Sequence, residues 1–423
     1  MNNQPNDLLK ERIRKARGKF AAMAATYFIG VFNDNFFKQS ALIMAIVAGR
    51  PQIQGYATLV FTLPFILFAA PAGFFADRFP KRSVVIAAKL LELTAMIFGA
   101  LGIYYVSWTL ILVMLGIEGL QAAIFSPALN GSIPELYPRQ YVIKANAIIR
   151  MISTAAILAG IAAAGFIMDK KGQVGSIPLN HILVAATVIG ISAIGVLISL
   201  GVPRYPAASP NARFPWTGPI DTLRTLYEIS HDSLLAVSVT ANTFFWFIAS
   251  LEVLVINQLG LSEFALTASA TSFLIVSEMV GIVIGGLLST KLATGQNWYR
   301  VLHPACFTMA ICMLCVTSLP YIPDTIRTPL LTGTLLTMGA AAGVLMIPLE
   351  SFIQVRPAAH RKGATIAAAN FAAFTGILLS GPVTNLFNWL RIAPTKCFAI
   401  MGTSAMIMAL WLFLVLRREN ENN

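Results

Sequence analysis

The chain has 423 residues, of which 57% are hydrophobic and only 11% charged, with a formal net charge of +12. A mean hydropathy of +0.73 excludes an ordinary soluble domain and marks an integral membrane protein. The positive charge does not point to nucleic acid, because Lys and Arg gather at the ends of apolar segments, the positive-inside pattern.

Residues 1–19 form a basic tail carrying Lys10, Arg12, Arg14, Lys15, Arg17 and Lys19. No short apolar segment with a small-residue cleavage site follows, so the tail reads as cytoplasmic and the first span as a retained anchor. That span, 20–48, carries Asn33-Asp34-Asn35 and Lys38 at its midpoint. A charge there costs about 2.5–3.5 kcal/mol on insertion scales, so it faces protein or water, and Lys38 lies one turn from Asp34 on the same face. The expectation is a site; the alternative is an ion pair that only locks helix 1 to a neighbour.

Further spans are expected at 53–76, 83–106, 108–129, 142–168 and 181–202, which close a first bundle over 20–202. A Pro-rich stretch, 203–232, with Arg204, Arg213 and Arg224, reads as a cytoplasmic linker. Six more spans, at 233–257, 264–290, 298–319, 328–354, 363–389 and 395–416, make a second bundle over 233–416, and 417–423 is a cytoplasmic tail. On this reading 21 basic residues lie on the side of the N-terminus and 6 on the other, which sets an even number of helices with both termini cytoplasmic.

The halves echo each other. Ser126-Pro127, Pro138 and Lys144-Ala145-Asn146 match Ile347-Pro348, Pro357 and Lys362-Gly363-Ala364, and Asn33 matches Asn242, at separations of about 210 to 220 residues. Duplicated six-helix units build midplane sites in many transporters. The predicted fold is therefore an all-α membrane protein of twelve helices in two pseudo-symmetric bundles.

Between the second and third spans lies Gly73-Phe-Phe-Ala-Asp77-Arg78-Phe-Pro-Lys81-Arg82. It resembles the signature loop of the major facilitator superfamily, and Gly286 to Lys291 resembles the second copy without its acid. Physically, Gly73 is expected to allow close helix approach, while Asp77, Arg78, Lys81 and Arg82 pair with helix ends at the cytoplasmic mouth and gate switching. Within the superfamily, Phe32 to Lys38, Ser126-Pro-Ala-Leu-Asn-Gly131 and Lys144-Ala-Asn146 resemble the bacterial lysophospholipid transporters. The chain departs from the stand-alone members at Leu129, where they carry Lys, and at Arg150, where they carry an acid.

The resemblance implies flipping of lysophosphatidylethanolamine or lysophosphatidylglycerol across a bacterial inner membrane to the cytoplasmic leaflet by alternating access. It also implies a functional link to an acyltransferase or acyl-carrier-protein synthetase that reacylates the product. In this fold helices 1, 4, 7 and 10 line the cavity, which assigns Asp34, Lys38, Asn33, Asn35, Glu118, Gln121, Asn242 and Glu252 to the substrate. This mixture of acids, amides and an ammonium suits a zwitterionic or anionic headgroup, and Phe36, Phe37, Phe244, Phe245 and Trp246 are candidates to hold an acyl chain or to pack. Asp34, Glu118 and Glu278 are candidates for proton coupling. Lys89, Glu92 and Arg150 are further intramembrane charges, and Lys89 and Arg150 lie near helix ends from which they can snorkel.

No cofactor or metal is expected: Cys312-Met-Leu-Cys315 has ligand spacing but no polar flank. An enzyme is not expected either, since no histidine is followed by the acyltransferase H-x-x-x-x-D pattern, and no Walker A sequence exists for a pump. The competing function is a proton-coupled exporter of amphipathic drugs or siderophores, which the same fold and carboxylates support.

Overall fold

The computed structural model describes residues 4–137, 139–203, 206–211, 213–295, 298–358 and 361–422. Pro138, Arg204 and His360 lie outside them, as do the side chains of Lys10, Arg12, Arg14, Lys15 and Arg139. The chain is almost wholly helical. In order come α1 (Gln4–Val47), α2 (Gln52–Leu67), α3 (Ala69–Arg78), α4 (Lys81–Tyr104), α5 (Trp108–Leu136), α6 (Arg139–Met168) and α7 (Leu179–Ser199). A two-residue hairpin, β1 (Gln173–Val174) with β2 (Ile177–Pro178), precedes α7. Then follow α8 (Gly218–Ile229), α9 (Ser233–Gln258), α10 (Ala268–Leu292), α11 (Leu302–Val316), α12 (Asp324–Val355), α13 (Lys362–Trp389) and α14 (Pro394–Asn422).

Among the described residues, ten helices are long and apolar enough to cross a membrane: α4 to α7 and α9 to α14. The pair α2 and α3 makes an eleventh span bent by 55°. Pro64, one turn before the break, removes a backbone donor and crowds the preceding turn, which is where a helix bends. The twelfth expected span falls in α1, where Asn33-Asp34-Asn35 and Lys38-Gln39-Ser40 interrupt the apolar run and whose 44 residues reach about 66 Å.

Two expected boundaries differ. The tail 1–19 is not separate from the first span but continues as helix from Gln4, and the linker contains the amphipathic α8. At the other end of α9, a single π turn, Leu259–Glu263, carries the helix on where a loop was expected. Side-chain caps start α9, where Asp232 accepts from the Leu235 amide at 3.2 Å, and α10, where Thr267 accepts from the Ala270 amide at 3.2 Å.

The chain forms two compact units, residues 1–41 with 60–219 and residues 42–59 with 220–423. In the first, α4 packs between α5 and α7, and α3 lies on α5. Its core includes Phe20, Met23, Val85, Leu129 and Ile133. In the second, α10 runs along α12, α11 along α14, and α13 along α9.

The α10–α12 contact is backbone against backbone. A Cβ at Gly281 would sit 2.9 Å from the Ala340 amide nitrogen, and one at Gly343 would sit 2.7 Å from that of Gly286. Glycines four apart on both helices permit this approach. In the same unit Ile229 of α8 packs with Leu235, Ile353 and Ala368, and Glu228 and Asp232 pair with Arg361 and Arg356.

Candidate functional site

The polar interruption of α1 sends its side chains in different directions. Asn33 is fully buried and donates through Nδ2 to the Val188 carbonyl at 3.2 Å and to Ser192 Oγ at 2.8 Å, both on α7. Asn35 donates to the Val31 carbonyl, 2.7 Å away within its own helix. These amides therefore serve helix packing and the local backbone rather than Asp34.

Asp34 instead meets two other carboxyls. One oxygen each from Asp34, Glu92 on α4 and Glu118 on α5 lie within 4.8 Å of one another. Glu92 and Glu118 are each 1% exposed. Lys89, one turn before Glu92 on α4, forms an ion pair with it, and Gln121 on α5 donates to Glu92 Oε2 at 3.4 Å. The Lys89 ammonium also lies 5.0 Å from the centre of the Phe125 ring. Lys89 is as buried as its partner, so it does not snorkel, whereas Arg150 is exposed.

Lys38 adopts a different role from the one its spacing implies. Its ammonium stands 5.2 Å above the Phe61 ring, and among the described residues it makes no direct ion pair with Asp34. The intrahelical pair expected from the i, i+4 spacing is thus replaced by a cation–π contact, because Phe61 of α2 offers a face to it. The sequence reading placed Lys89 and Glu92 outside the site. The signal that joins them is the i, i+3 spacing of Lys89 and Glu92 on an apolar helix.

Several buried oxygens of this cluster have no hydrogen-bond partner among the described residues: both of Glu118, Oε1 of Glu92 and Oδ1 of Asp34. Buried acceptors left this way are costly, so the cluster is a receptor for donors. The three oxygens are also a set that a cation can use, although the Lys89 ammonium already occupies the Glu92 side.

The second unit carries Asn242, Glu252 and Glu278, all buried. Glu252 stands on α9 and Glu278 on α10, and Glu252 Oε1 and Glu278 Oε2 have no hydrogen-bond partner among the described residues. Of the aromatic residues, Phe36, Phe37 and Phe245 are core side chains at 0%, 0% and 2% exposure. Phe244 lines an open apolar groove of about 550 Å³ with Phe247, Ala372, Gly376 and Met408.

The signature loop is built differently from its expected mechanics. A Cβ at Gly73 would meet nothing within 4 Å, so this glycine makes no close helix contact. Gly131 does: a Cβ there would lie 2.8 Å from Lys81 Cε, so the glycine of the Ser126 to Gly131 motif makes room for the lysine of the loop. Arg82 donates to the Leu200 carbonyl at 2.7 Å, at the C-terminal end of α7, where a cation is favoured. Arg78 lies 5.4 Å from the centre of the Phe74 ring, Asp77 is exposed, and the Asp77 carbonyl accepts from the Ser209 amide at 2.8 Å. Among the cysteines, Cys312 is buried and Cys315 exposed.

Comparison with known proteins agrees with this architecture. The profile described as Major Facilitator Superfamily matches residues 20–381. The lysophospholipid transporter LplT of Klebsiella pneumoniae subsp. pneumoniae is 28% identical over 419 residues, covering 94% of this chain and 96% of that protein. The lysophospholipid transporter LplT of Enterobacter sp. strain 638 is 27% identical over 370 residues, covering 85% and 86%. Among solved structures, a D-xylose–proton symporter aligns with a TM-score of 0.70 at 14% identity, covering 93% of this chain and 96% of that one. A POT family transporter in complex with 5-aminolevulinic acid aligns with a TM-score of 0.73 at 10% identity, covering 93% and 95%. These two likenesses concern the fold.

Proposed function

The chain belongs to the Major Facilitator Superfamily, and from that premise we propose that it flips lysophospholipids, with an ethanolamine or glycerol headgroup, across a bacterial inner membrane. The direction is toward the cytoplasmic leaflet, where an acyltransferase consumes the product, and the motion is alternating access. One observation carries the reading: the buried cluster of Asp34, Glu92 and Glu118 presents unpartnered acceptor oxygens beside the ammonium group of Lys89, with Lys38 one helical turn from Asp34 on α1. An ethanolamine ammonium supplies donors to those oxygens while its phosphate faces a lysine, so one headgroup satisfies both signs of charge. The names of the relatives support the same substrate class.

Reconstitution tests it. Proteoliposomes holding the protein are expected to flip fluorescent lysophosphatidylethanolamine several-fold faster than protein-free vesicles, and faster than they move a soluble cationic amphiphile. The reverse preference overturns the lipid reading in favour of an exporter of amphipathic small molecules. That second reading draws on the buried acids Glu252 and Glu278 of the second unit, which have no place in a headgroup site confined to the first.

A further inference from the structure

We propose that the open apolar groove of the second unit is a lipid seat, which takes one acyl chain of a diacyl phospholipid from the leaflet on the α8 side and holds that lipid's phosphate at Arg356. The groove encloses about 550 Å³, and every residue that lines it belongs to the second unit. Its floor is one face of α9, where Ala236, Thr240, Thr243 and Phe247 recur at helical spacing. Ala372 and Leu379 of α13 and Met408 of α14 complete the walls, and Leu226 and Ile229 of α8 line the end where α9 begins. Hydroxyls of the lining turn back to their own backbone: Thr243 donates to the Val239 carbonyl at 2.8 Å and Ser230 to the Tyr227 carbonyl at 2.6 Å. What remains for an occupant is hydrocarbon surface.

The groove's length and depth suit a lipid chain. Ala236 and Phe247 are 11 residues apart on α9, about 16 Å along the axis, and Ala236 is the fourth residue of a span that begins at Ser233. A bilayer's hydrocarbon core is about 30 Å thick, so the groove covers the depth of one leaflet, from the membrane edge to the midplane. Spread over that length, the volume leaves the width of a single chain. At the membrane edge lies α8, whose Ile220, Leu223 and Tyr227 form an apolar stripe at 67%, 58% and 69% exposure, while its Leu226 and Ile229 face the protein. A helix with such a stripe beside a span lies in the interface plane, at headgroup depth.

Where the groove ends, charge begins. Residues 229–236 line first the groove and then a polar cavity of about 310 Å³ that His231, Asp232 and Arg356 bound. Arg356 gives its Nε to Asp232 Oδ2 at 2.8 Å and its side chain is 50% exposed. Its two terminal nitrogens, which carry the other guanidinium N–H groups, have no partner among the described residues, so they are placed to take a phosphate in the two-pronged geometry that arginine favours. Lys362, exposed at the start of α13, follows Arg361, which pairs with Glu228 of α8, and adds a cation at this end. An anion site at the mouth of an apolar slot one leaflet deep matches a phospholipid, and because the slot is open and one chain wide, the second chain stays in the bilayer.

Photo-crosslinking of the delipidated full-length protein in detergent micelles tests the seat without any transport step, so the result stands apart from the lysolipid reading. The probe is a diacyl phosphatidylethanolamine with a diazirine in one chain, and adducts are mapped by mass spectrometry. Adducts on Phe247 and Met408 are expected to be at least about fivefold denser than on Leu287 of α10, which is 67% exposed and outside the groove. Thr240→Trp, which puts an indole into the groove from an exposed position, is expected to cut the groove adducts about fivefold and leave those on Leu287 unchanged. Arg356→Gln is expected to cut them about threefold. If Thr240→Trp does not fold, a diacylglycerol probe with the same diazirine carries the test on the wild type: lacking the phosphate, it is expected to label the groove no more densely than Leu287. Phospholipid adducts no denser in the groove than on Leu287, or an enrichment that the diacylglycerol probe shares, overturns the proposal. Displacement of the probe by unlabelled lysophosphatidylethanolamine but not by unlabelled diacyl lipid overturns it too, and gives the groove to the cargo.

Discussion

Gly30 on α1 and Lys89 on α4 meet so closely that a Cβ at Gly30 would overlap the Lys89 ammonium. The missing side chain on α1 is what lets the ammonium reach Glu92 inside the membrane. Gly30→Val is therefore expected to expel Lys89 and leave Glu92 unpaired. Breaking a buried pair by removing one partner costs about 3–5 kcal/mol. Thermal unfolding in detergent should show a loss of that order, whereas Gly190→Ala, where a Cβ meets nothing within 4 Å, should melt with the wild type.

Asn33 and Asp34 are neighbours with separable roles. Asn33→Ala removes both hydrogen bonds to α7 and is expected to cost about 1–3 kcal/mol of stability while keeping the headgroup preference. Asp34→Asn keeps the shape of the site but removes an acceptor charge, so lysophosphatidylethanolamine flipping should fall at least tenfold with little change in melting temperature. Paired measurements of flipping rate and unfolding midpoint separate the two; equal loss of flipping in both variants would remove Asp34 from the headgroup site.

Lys38 and Asp34 make no direct ion pair among the described residues. Because Lys38 rests over Phe61, Phe61→Leu is expected to weaken the hold on the ammonium by about 0.5–2 kcal/mol. The double variant Asp34→Ala with Lys38→Ala should fold and remain inactive. Wild-type flipping in that variant would show both residues to be scaffold.

The signature loop predicts a kinetic effect. Asp77 is exposed, apart from the carboxyl cluster, and its backbone is tied to the segment after α7 through Ser209. Asp77→Asn should slow transport several-fold and leave equilibrium binding of lysolipid within about twofold, the mark of a gate. Loss of binding in proportion to transport would place it in the binding site.

Between α10 and α12, Gly285→Leu is expected to prevent assembly of the second unit, since even a Cβ there would lie 2.7 Å from the Ala340 carbonyl carbon. Gly286→Ala, whose Cβ would meet Ile347 Cγ1 at 3.3 Å, should be tolerated. Yield of monodisperse protein distinguishes the two.

The amino-acid sequence alone determined that the chain is a multi-span helical membrane protein. Long apolar runs and the placement of Lys and Arg are local properties, and a bilayer converts them directly into spans. It also singled out Asp34, because one charge in an apolar run is conspicuous. Which groups Asp34 meets was decided only by tertiary structure. Helical spacing offered it Lys38, but packing of α1 against α4 and α5 brought Glu92 and Glu118, and Phe61 took Lys38. The glycines divide in the same way: Gly73 belongs to the motif, yet a Cβ there would meet nothing within 4 Å, while Gly131, from another motif, holds open the space for Lys81. Glu252 and Glu278 are 26 positions apart, on different helices. What each of them meets is decided by helix packing, since spacing along a chain constrains neighbours within a helix and says nothing of what another helix presents.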